Sequence, residues 1–225
     1  RVVTRYGRPI TGMRFNSDGI DAESFAGIGT VPPGDTDVAL GRKRARAAVL
    51  LELALPGGAY VYQGDELGLE EVEDLPDDLL QDPTWKRSGH TVRGRDGCRV
   101  PIPWSGTEPP LGFGSVEHPP WLPQPAHWAH LTVAAQDAAP ESMLNLYRAA
   151  LAERRRNPAL GEGTLSWDDD APDGVLSFTR EPGFRCVVNF GPGSYEIPDG
   201  VEVVLSSGLS GTRSVGMDEA VWLRV

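Results

Sequence analysis

Cysteine is almost missing from this chain: Cys98 and Cys186 are the only two among 225 residues. They stand far apart and show no metal-ligand spacing, so neither a disulfide framework nor a zinc site organises the fold. Two free thiols in a reducing, cytoplasmic compartment is the expected state, with a single disulfide as the alternative. Positive charge is also short. Twenty-one Lys and Arg face 32 Asp and Glu, giving a net charge of -11 and a pI near 4.8. That argues against nucleic acid and anionic membrane surfaces as partners, but not against neutral ones such as sugars. No apolar run approaches the ~18–20 residues that span a bilayer, no signal peptide opens the chain, and there are no internal repeats. An initiator is missing too. The chain starts at Arg1 in mid-pattern (RVVTRYG), and is therefore expected to be a piece of a longer protein.

What is present centres on Gly57 to Leu69, GGAYVYQGDELGL. Ala59 to Gln63 has the aromatic and β-branched content of a short buried strand, entered through Pro56-Gly57-Gly58 and closed by Gly64. Before it, Ala39 to Leu55 reads as a helix, with Ala45, Val49 and Leu53 recurring every four residues. A helix, a Gly-containing turn and an apolar strand ending in acidic residues make the αβ unit of a parallel α/β protein. In such proteins ligand chemistry gathers at the strands' carboxyl ends, here Gln63, Gly64, Asp65 and Glu66.

The rest of the chain falls into recognisable pieces. Gly7 to Asp37 is Gly-, Asp- and Pro-rich, the mark of a long loop, with a short helical piece expected near Ala22 to Ala26. An acidic run from Glu70 to Asp82 reads as a solvated face. HTVRGRDGCRVPIPW and the Pro-rich segment to Pro125 exclude a regular helix; their Trp residues point to a rigid excursion packed over something. Glu141 to Arg156 is a helix with Leu144, Tyr147 and Leu151 on one face, ended by Asn157-Pro158. Its Arg154–Arg156 triplet reads as an end-of-helix feature rather than an anion site. From Gly161 short β segments alternate with turn residues at roughly ten-residue spacing, the pattern of a small antiparallel sandwich. The segments are Leu165 to Trp167, Val175 to Arg180, Arg185 to Phe190, Tyr195 to Ile197, Val201 to Leu205 and Ala220 to Val225. A domain boundary is expected near residue 160, giving domains 1–160 and 161–225.

YVYQGDELGL, GRDGCRVPIPW and WLPQP, in that order, precede SMLNLYRAALAERRRNPAL and a β-rich tail. Together they resemble the α-glucosidase branch of the α-amylase family of glycoside hydrolases. The resemblance implies the last part of a (β/α)8 barrel followed by a C-terminal antiparallel β-sandwich domain. Ala59 to Gln63 would be the eighth barrel strand, and Glu141 to Arg156 the last barrel helix. RVVTRYG looks like the segment that follows the family's Asn-His-Asp motif. The implied activity is retaining exo-hydrolysis of terminal α-linked glucose from oligosaccharides or α-glucosides, without cofactor or metal.

Retention needs two carboxyl groups about 5–5.5 Å apart. In the family both, and a third stabilising Asp, would lie upstream of Arg1. No catalytic residue is therefore expected in the chain, and an N-terminal complement of the same enzyme, as a segment or separate chain, is the expected partner. By the same resemblance Arg95, the first Arg of Gly-Arg-Asp, would reach the terminal sugar. An Arg fork suits neighbouring hydroxyls because its donors are planar and always charged. Pairing with Asp96 or the acidic loop is the competing role. Glu71 would line the acceptor side, and Arg1 matches the Arg three positions beyond the Asn-His-Asp aspartate. Asp65, Glu66 and Arg99 would be structural near the site. His90, His118, His127 and His130 form no ligand set. Transglycosylating relatives (trehalose synthase, sucrose-active enzymes) are the near alternative. A non-catalytic carbohydrate-binding or assembly module, built on exposed Trp of the β domain, is the distant one.

Overall fold

The computed structural model describes residues 1–8, 15–16, 19–20, 36–208 and 213–225. Most of the expected 7–37 loop, including the helical piece at Ala22 to Ala26, lies outside them. Compactness divides the chain into two units: Arg1–Gly41 with Leu69–Ala135, and Arg42–Gly68 with Gln136–Val225.

The first unit opens with α1 (Val2–Tyr6) and the two-residue strands β1 (Phe15–Asn16) and β2 (Gly19–Ile20), which pair antiparallel. Helix α2 (Val38–Ala54) starts here. The Asp37 carboxylate accepts the Leu40 N–H at 2.9 Å, satisfying one of the donors a first helical turn leaves over. Next come α3 (Pro83–Arg87), a 3-10 turn at Ala126–Leu131, and α4 (Val133–Asp137). The Pro-rich excursion buries Leu111, Leu122 and Trp128 and keeps Trp104, Phe113 and Trp121 about half exposed. Prolines cannot join a ladder, so isolated bonds hold it. Val133 N–H reaches the Pro103 carbonyl and Ala134 N–H the Trp104 carbonyl, both at 3.0 Å. Trp121 Nε1 donates to the Leu79 carbonyl at 3.1 Å. The acidic run is less solvated than its composition suggests, because Glu73 pairs with Arg8, Asp77 with Arg93 and Asp82 with Arg99.

In the second unit Ala45, Val49, Leu50 and Leu53 of α2 are buried, as the four-residue recurrence predicts. Helix α5 (Met143–Arg156) is capped by Ser142, whose hydroxyl accepts the Asn145 N–H at 3.2 Å, and it buries Leu144, Tyr147 and Ala150. Seven short strands follow: β3 (Leu165–Trp167), β4 (Val175–Arg180), β5 (Phe184–Asn189), β6 (Tyr195–Glu196), β7 (Glu202–Ser206), β8 (Ser214–Val215) and β9 (Glu219–Arg224). Six of them fall within a residue or two of the segments read from turn spacing; β8 has no such signal. Strands β3, β4, β5, β9 and β7, in that order, form one antiparallel sheet, and β6 pairs with β8. Period-two alternation sends successive residues of β5 and β9 to opposite faces, and both faces are covered. Val187, Val221 and Leu223 pack with Ile197 and Val215 of the small ribbon and its flank. Trp222 instead sends its indole N–H to the Leu50 carbonyl of α2, at 2.9 Å, and meets Phe184 edge-on.

Arginines close the end of α2. Arg180, with none of its surface exposed, donates to the carbonyls of Ala54 at 2.9 Å and of Gly161 and Gly163 at 3.0 Å. Arg154 donates to Leu55 at 3.0 Å and Gly57 at 2.6 Å. Of these, the Ala54 carbonyl belongs to the last turn of α2, which leaves its carbonyls without helical partners, and the helix dipole favours cations there. The basic triplet thus serves helix ends, but Arg154 caps α2 and not its own helix. Burial lowers the pKa of Arg180, with Arg154 adding to the shift.

One expected element is overturned. Among the described residues Ala59 to Gln63 is not a strand: it joins no ladder, and every strand pair is antiparallel. Tyr60 is 91% exposed, and Val61 and Tyr62 are close to half exposed. A strand exists through its ladder partners, and none lies beside this segment among the described residues.

Candidate functional site

The Gly-Arg-Asp loop of the first unit is built on two buried carboxylates. Asp82 precedes Pro83, and its Oδ1 accepts the Thr84 N–H at 2.9 Å, starting α3. Its Oδ2 accepts the Arg95 N–H at 3.2 Å and faces Arg99 Nη1 at 3.1 Å. Asp96, with no exposed surface, accepts the N–H groups of Gln81 and Asp82 at 2.7 Å through Oδ2. Its Oδ1 takes Arg99 Nη1, also at 2.7 Å. One guanidinium and four backbone donors thus satisfy both buried acids. Hydrogen bonds from the Thr84 N–H, the Thr84 hydroxyl and the Arg95 N–H, with the charge of Arg99, outweigh burial and hold Asp82 down at about 2. Arg99 is raised, by its bond to Asp96 first.

Two glycines make the loop possible. Gly94 sits at φ +73°, and a Cβ there would lie 2.6 Å from Asp82 Cβ. A Cβ on Gly97 would lie 2.4 Å from the Val72 carbonyl oxygen.

Arg95 leaves this node pointing outward. Its side chain is 81% exposed, and its Nε stands 3.8 Å from Asp82 Oδ2, too long for a hydrogen bond. The guanidinium thus stands within ion-pair reach of Asp82, as the competing role expects, while most of its fork is open to solvent, as a sugar contact requires. Glu71 is half-buried behind the loop, with its N–H on Thr4 Oγ1 at 2.7 Å. Its side chain packs on Gly97, where a Cβ would meet Glu71 Cγ at 2.8 Å. Burial raises the Cys98 thiol pKa, and the neighbouring Glu71 carboxylate raises it further. Arg1 ties the loop from the other side. Its Nη2 donates to the carbonyls of Cys98 at 3.2 Å and Val100 at 2.8 Å, and its guanidinium lies 4.9 Å from the centre of the Trp128 ring. Arg1, Glu71, Arg95 and Arg99 are thus gathered around one loop.

Asp65 and Glu66 belong to the second unit, in a 3-10 turn (Asp65–Leu67) flanked by the left-handed residues Gly64 and Gly68. Glu66 Oε2 folds back onto the Gly64 N–H at 2.7 Å. Gln136 Nε2 and Arg42 Nε hold the carbonyls of Leu67 and Gly68 at 2.8 and 3.0 Å. These contacts give the turn a structural role.

Asp82 and the Glu70 group escaped the sequence reading. Glu70 Oε1 accepts the Trp128 indole N–H at 2.9 Å and also meets His127. His127 thus has a carboxylate partner. The acidic run hid Glu70, whereas Asp82-Pro83 carried a usable signal, a cap followed by Pro at the first helical position. Among the described residues no group of His, Cys, Asp or Glu could hold a metal ion, and no helix is long and apolar enough to cross a membrane.

The comparisons agree with this picture. Residues 32–163, more than half of the chain, match the Alpha-amylase family, described as "Alpha amylase, catalytic domain". A protein of Rhizobium meliloti named "Probable alpha-glucosidase" is 38% identical over 139 residues, covering 62% of this chain and 24% of that protein. "Trehalose synthase/amylase TreS" of Mycobacterium tuberculosis is 30% identical over 145 residues, covering 62% of this chain and 21% of that one. The solved structure of the "alpha-glucosyl transfer enzyme, XgtA" is 32% identical with a TM-score of 0.65, covering 85% of this chain and 36% of the other. The chain belongs to the α-amylase family. It spans about a quarter of the length of the curated relatives it matches.

Proposed function

We propose that this chain is the C-terminal part of a retaining exo-α-glucosidase that releases terminal α-linked glucose from oligosaccharides or α-glucosides. Residues 1–160 would complete the catalytic barrel, and 161–225 would form the β domain. The nucleophile and acid/base carboxylates would come from polypeptide outside residues 1–225, at the ~5–5.5 Å separation that retention demands. Arg95 would bind the terminal sugar, Glu71 would line the acceptor side, and Arg1 would hold the loop through its carbonyls. The single observation carrying this reading is the outward guanidinium of Arg95 on a loop fixed by Asp82, Asp96 and Arg99, in a chain 38% identical to a protein named as an α-glucosidase.

The test is an assay of the natural polypeptide carrying this sequence on an aryl α-glucoside, maltose, isomaltose and sucrose. Glucose release with retained anomeric configuration is expected, and Arg95→Ala should raise KM about tenfold, the loss of ~1.4 kcal/mol of binding. No glucose from any of the four substrates would overturn the assignment.

The second reading, a glucosyl-transferring relative, is favoured by the similarity to the α-glucosyl transfer enzyme and the trehalose synthase. Disaccharide products from maltose or sucrose in excess over free glucose would select it. A binding module built on the β domain has little support. Trp222 is buried, which leaves Trp167 as the exposed tryptophan beyond residue 160.

A further inference from the structure

We propose that Asp82 is the positioning residue of this site: through its Oδ2 it fixes the backbone from which Arg95 reaches the substrate. The inference rests on the reading of Arg95 as a sugar contact. Asp82 lies 13 positions before Arg95 and has a side chain only 4% exposed. Its Oδ2 accepts the Arg95 N–H at 3.2 Å and faces Arg99 Nη1 at 3.1 Å, while its Oδ1 anchors the first turn of α3 at Thr84 N. A Cβ added at Gly94 would lie 2.6 Å from both Asp82 Cβ and Cγ, so the turn before Arg95 passes directly against the aspartate. Asp96 holds Asp82 in return, accepting its N–H at 2.7 Å. No other carboxylate in the loop touches the Arg95 backbone among the described residues.

The charge matters as much as the shape. An ionised Asp82 Oδ2 offers lone pairs to an amide N–H and to a guanidinium together. An amide nitrogen at that position would point donors at both. Asp82→Asn preserves volume and, through its carbonyl oxygen, the bond to Thr84 N–H, so α3 keeps its cap while Arg95 loses its anchor. The side chain of Arg95 keeps its charge and chemistry in this variant and loses only its placement.

The test uses the natural polypeptide carrying this sequence, in two readouts. In the first, kcat and KM for an aryl α-glucoside are measured for Asp82→Asn, Arg95→Ala and the double variant. Asp82→Asn should raise KM by about fivefold to tenfold with kcat within about twofold. The double variant should be no worse than Arg95→Ala alone, because coupled neighbours are non-additive. Effects that multiply would overturn the proposal, since they would mean Asp82 acts without Arg95. In the second, amide hydrogen exchange at Arg95 is compared between Asp82→Asn and the parent. Faster exchange at Arg95, with Thr84 unchanged, supports the positioning role. Unchanged exchange at Arg95 overturns it, whatever the kinetics. If Arg95→Ala leaves KM unaltered while Asp82→Asn still loosens the Arg95 amide, the sugar-contact reading fails and the structural anchoring stands. Gly94→Ala, which pushes on Asp82 without removing its charge, should reproduce the rise in KM; a silent Gly94→Ala would count against the anchoring geometry.

Discussion

Replacing Arg180 by methionine tests how the second unit is held together. The side chain has no exposed surface and sends three N–H groups to the carbonyls of Ala54, Gly161 and Gly163, at 2.9–3.0 Å. A hydrogen bond from a charged donor contributes ~1.5–3 kcal/mol, so three give a gross loss of roughly 5–9 kcal/mol. Against this stands the relief of desolvating a buried cation, several kcal/mol after relaxation. That relief applies here because the side chain has no exposed surface, in the same direction as its lowered pKa. The net expectation for Arg180→Met is a loss of about 3 kcal/mol. With an m-value of ~2 kcal/mol/M in urea, the midpoint should fall by ~1.5 M. Arg180→Ala should fall further, by ~1–2 kcal/mol for the cavity. Equilibrium urea unfolding followed by the fluorescence of buried Trp222 reads this transition. A midpoint shift below ~0.3 M for Arg180→Met would refute the claim that these bonds outweigh the desolvation of the cation.

Other outcomes follow from the same structure. Asp82, held at about 2, lies below its unfolded value near ~3.9; its stabilisation is therefore complete above pH ~4 and lost as pH falls through about 2. Asp82→Asn should flatten that acid limb in a pH series of melting temperatures, and an unchanged limb would exclude Asp82 as its source. Glu71→Gln should speed alkylation of Cys98 by iodoacetamide at pH 8, because one contribution raising that thiol's pKa is removed; an unaltered rate would place the carboxylate elsewhere. Burial pushes the Cys186 thiol far upward, so it should resist the same reagent until urea unfolds the sheet. Trp222→Phe drops the indole bond to Leu50 and shrinks a fully buried ring, and should cost about 2–4 kcal/mol in urea melts.

Much of the chain was legible in its sequence because the signals were local. The recurrence of Ala45, Val49 and Leu53 marked α2, and the Leu144–Tyr147 face marked α5. Turn residues at regular spacing marked six strands of the β region to within a residue or two. Each of these depends on a periodicity or a turn preference that a short window carries by itself. The glycines of GRDGC likewise announced a tight loop. By contrast, Arg154 looked like the end of its own helix. Its cap on α2 depends on a contact 99–101 residues away, which no local window contains.

Sequence alone therefore determined the two long helices α2 and α5, the β-rich end, the acidic balance and the motifs that place the chain in its family. Tertiary structure alone decided that Asp82, one acid among many in a run, is the buried anchor of the Arg95 loop. It also decided that Ala59 to Gln63, strand-like in composition, lacks a ladder. The physical reason is the same in both cases. A carboxylate becomes an anchor, and an extended segment becomes a strand, only through partners that distant parts of the polypeptide bring within hydrogen-bonding reach.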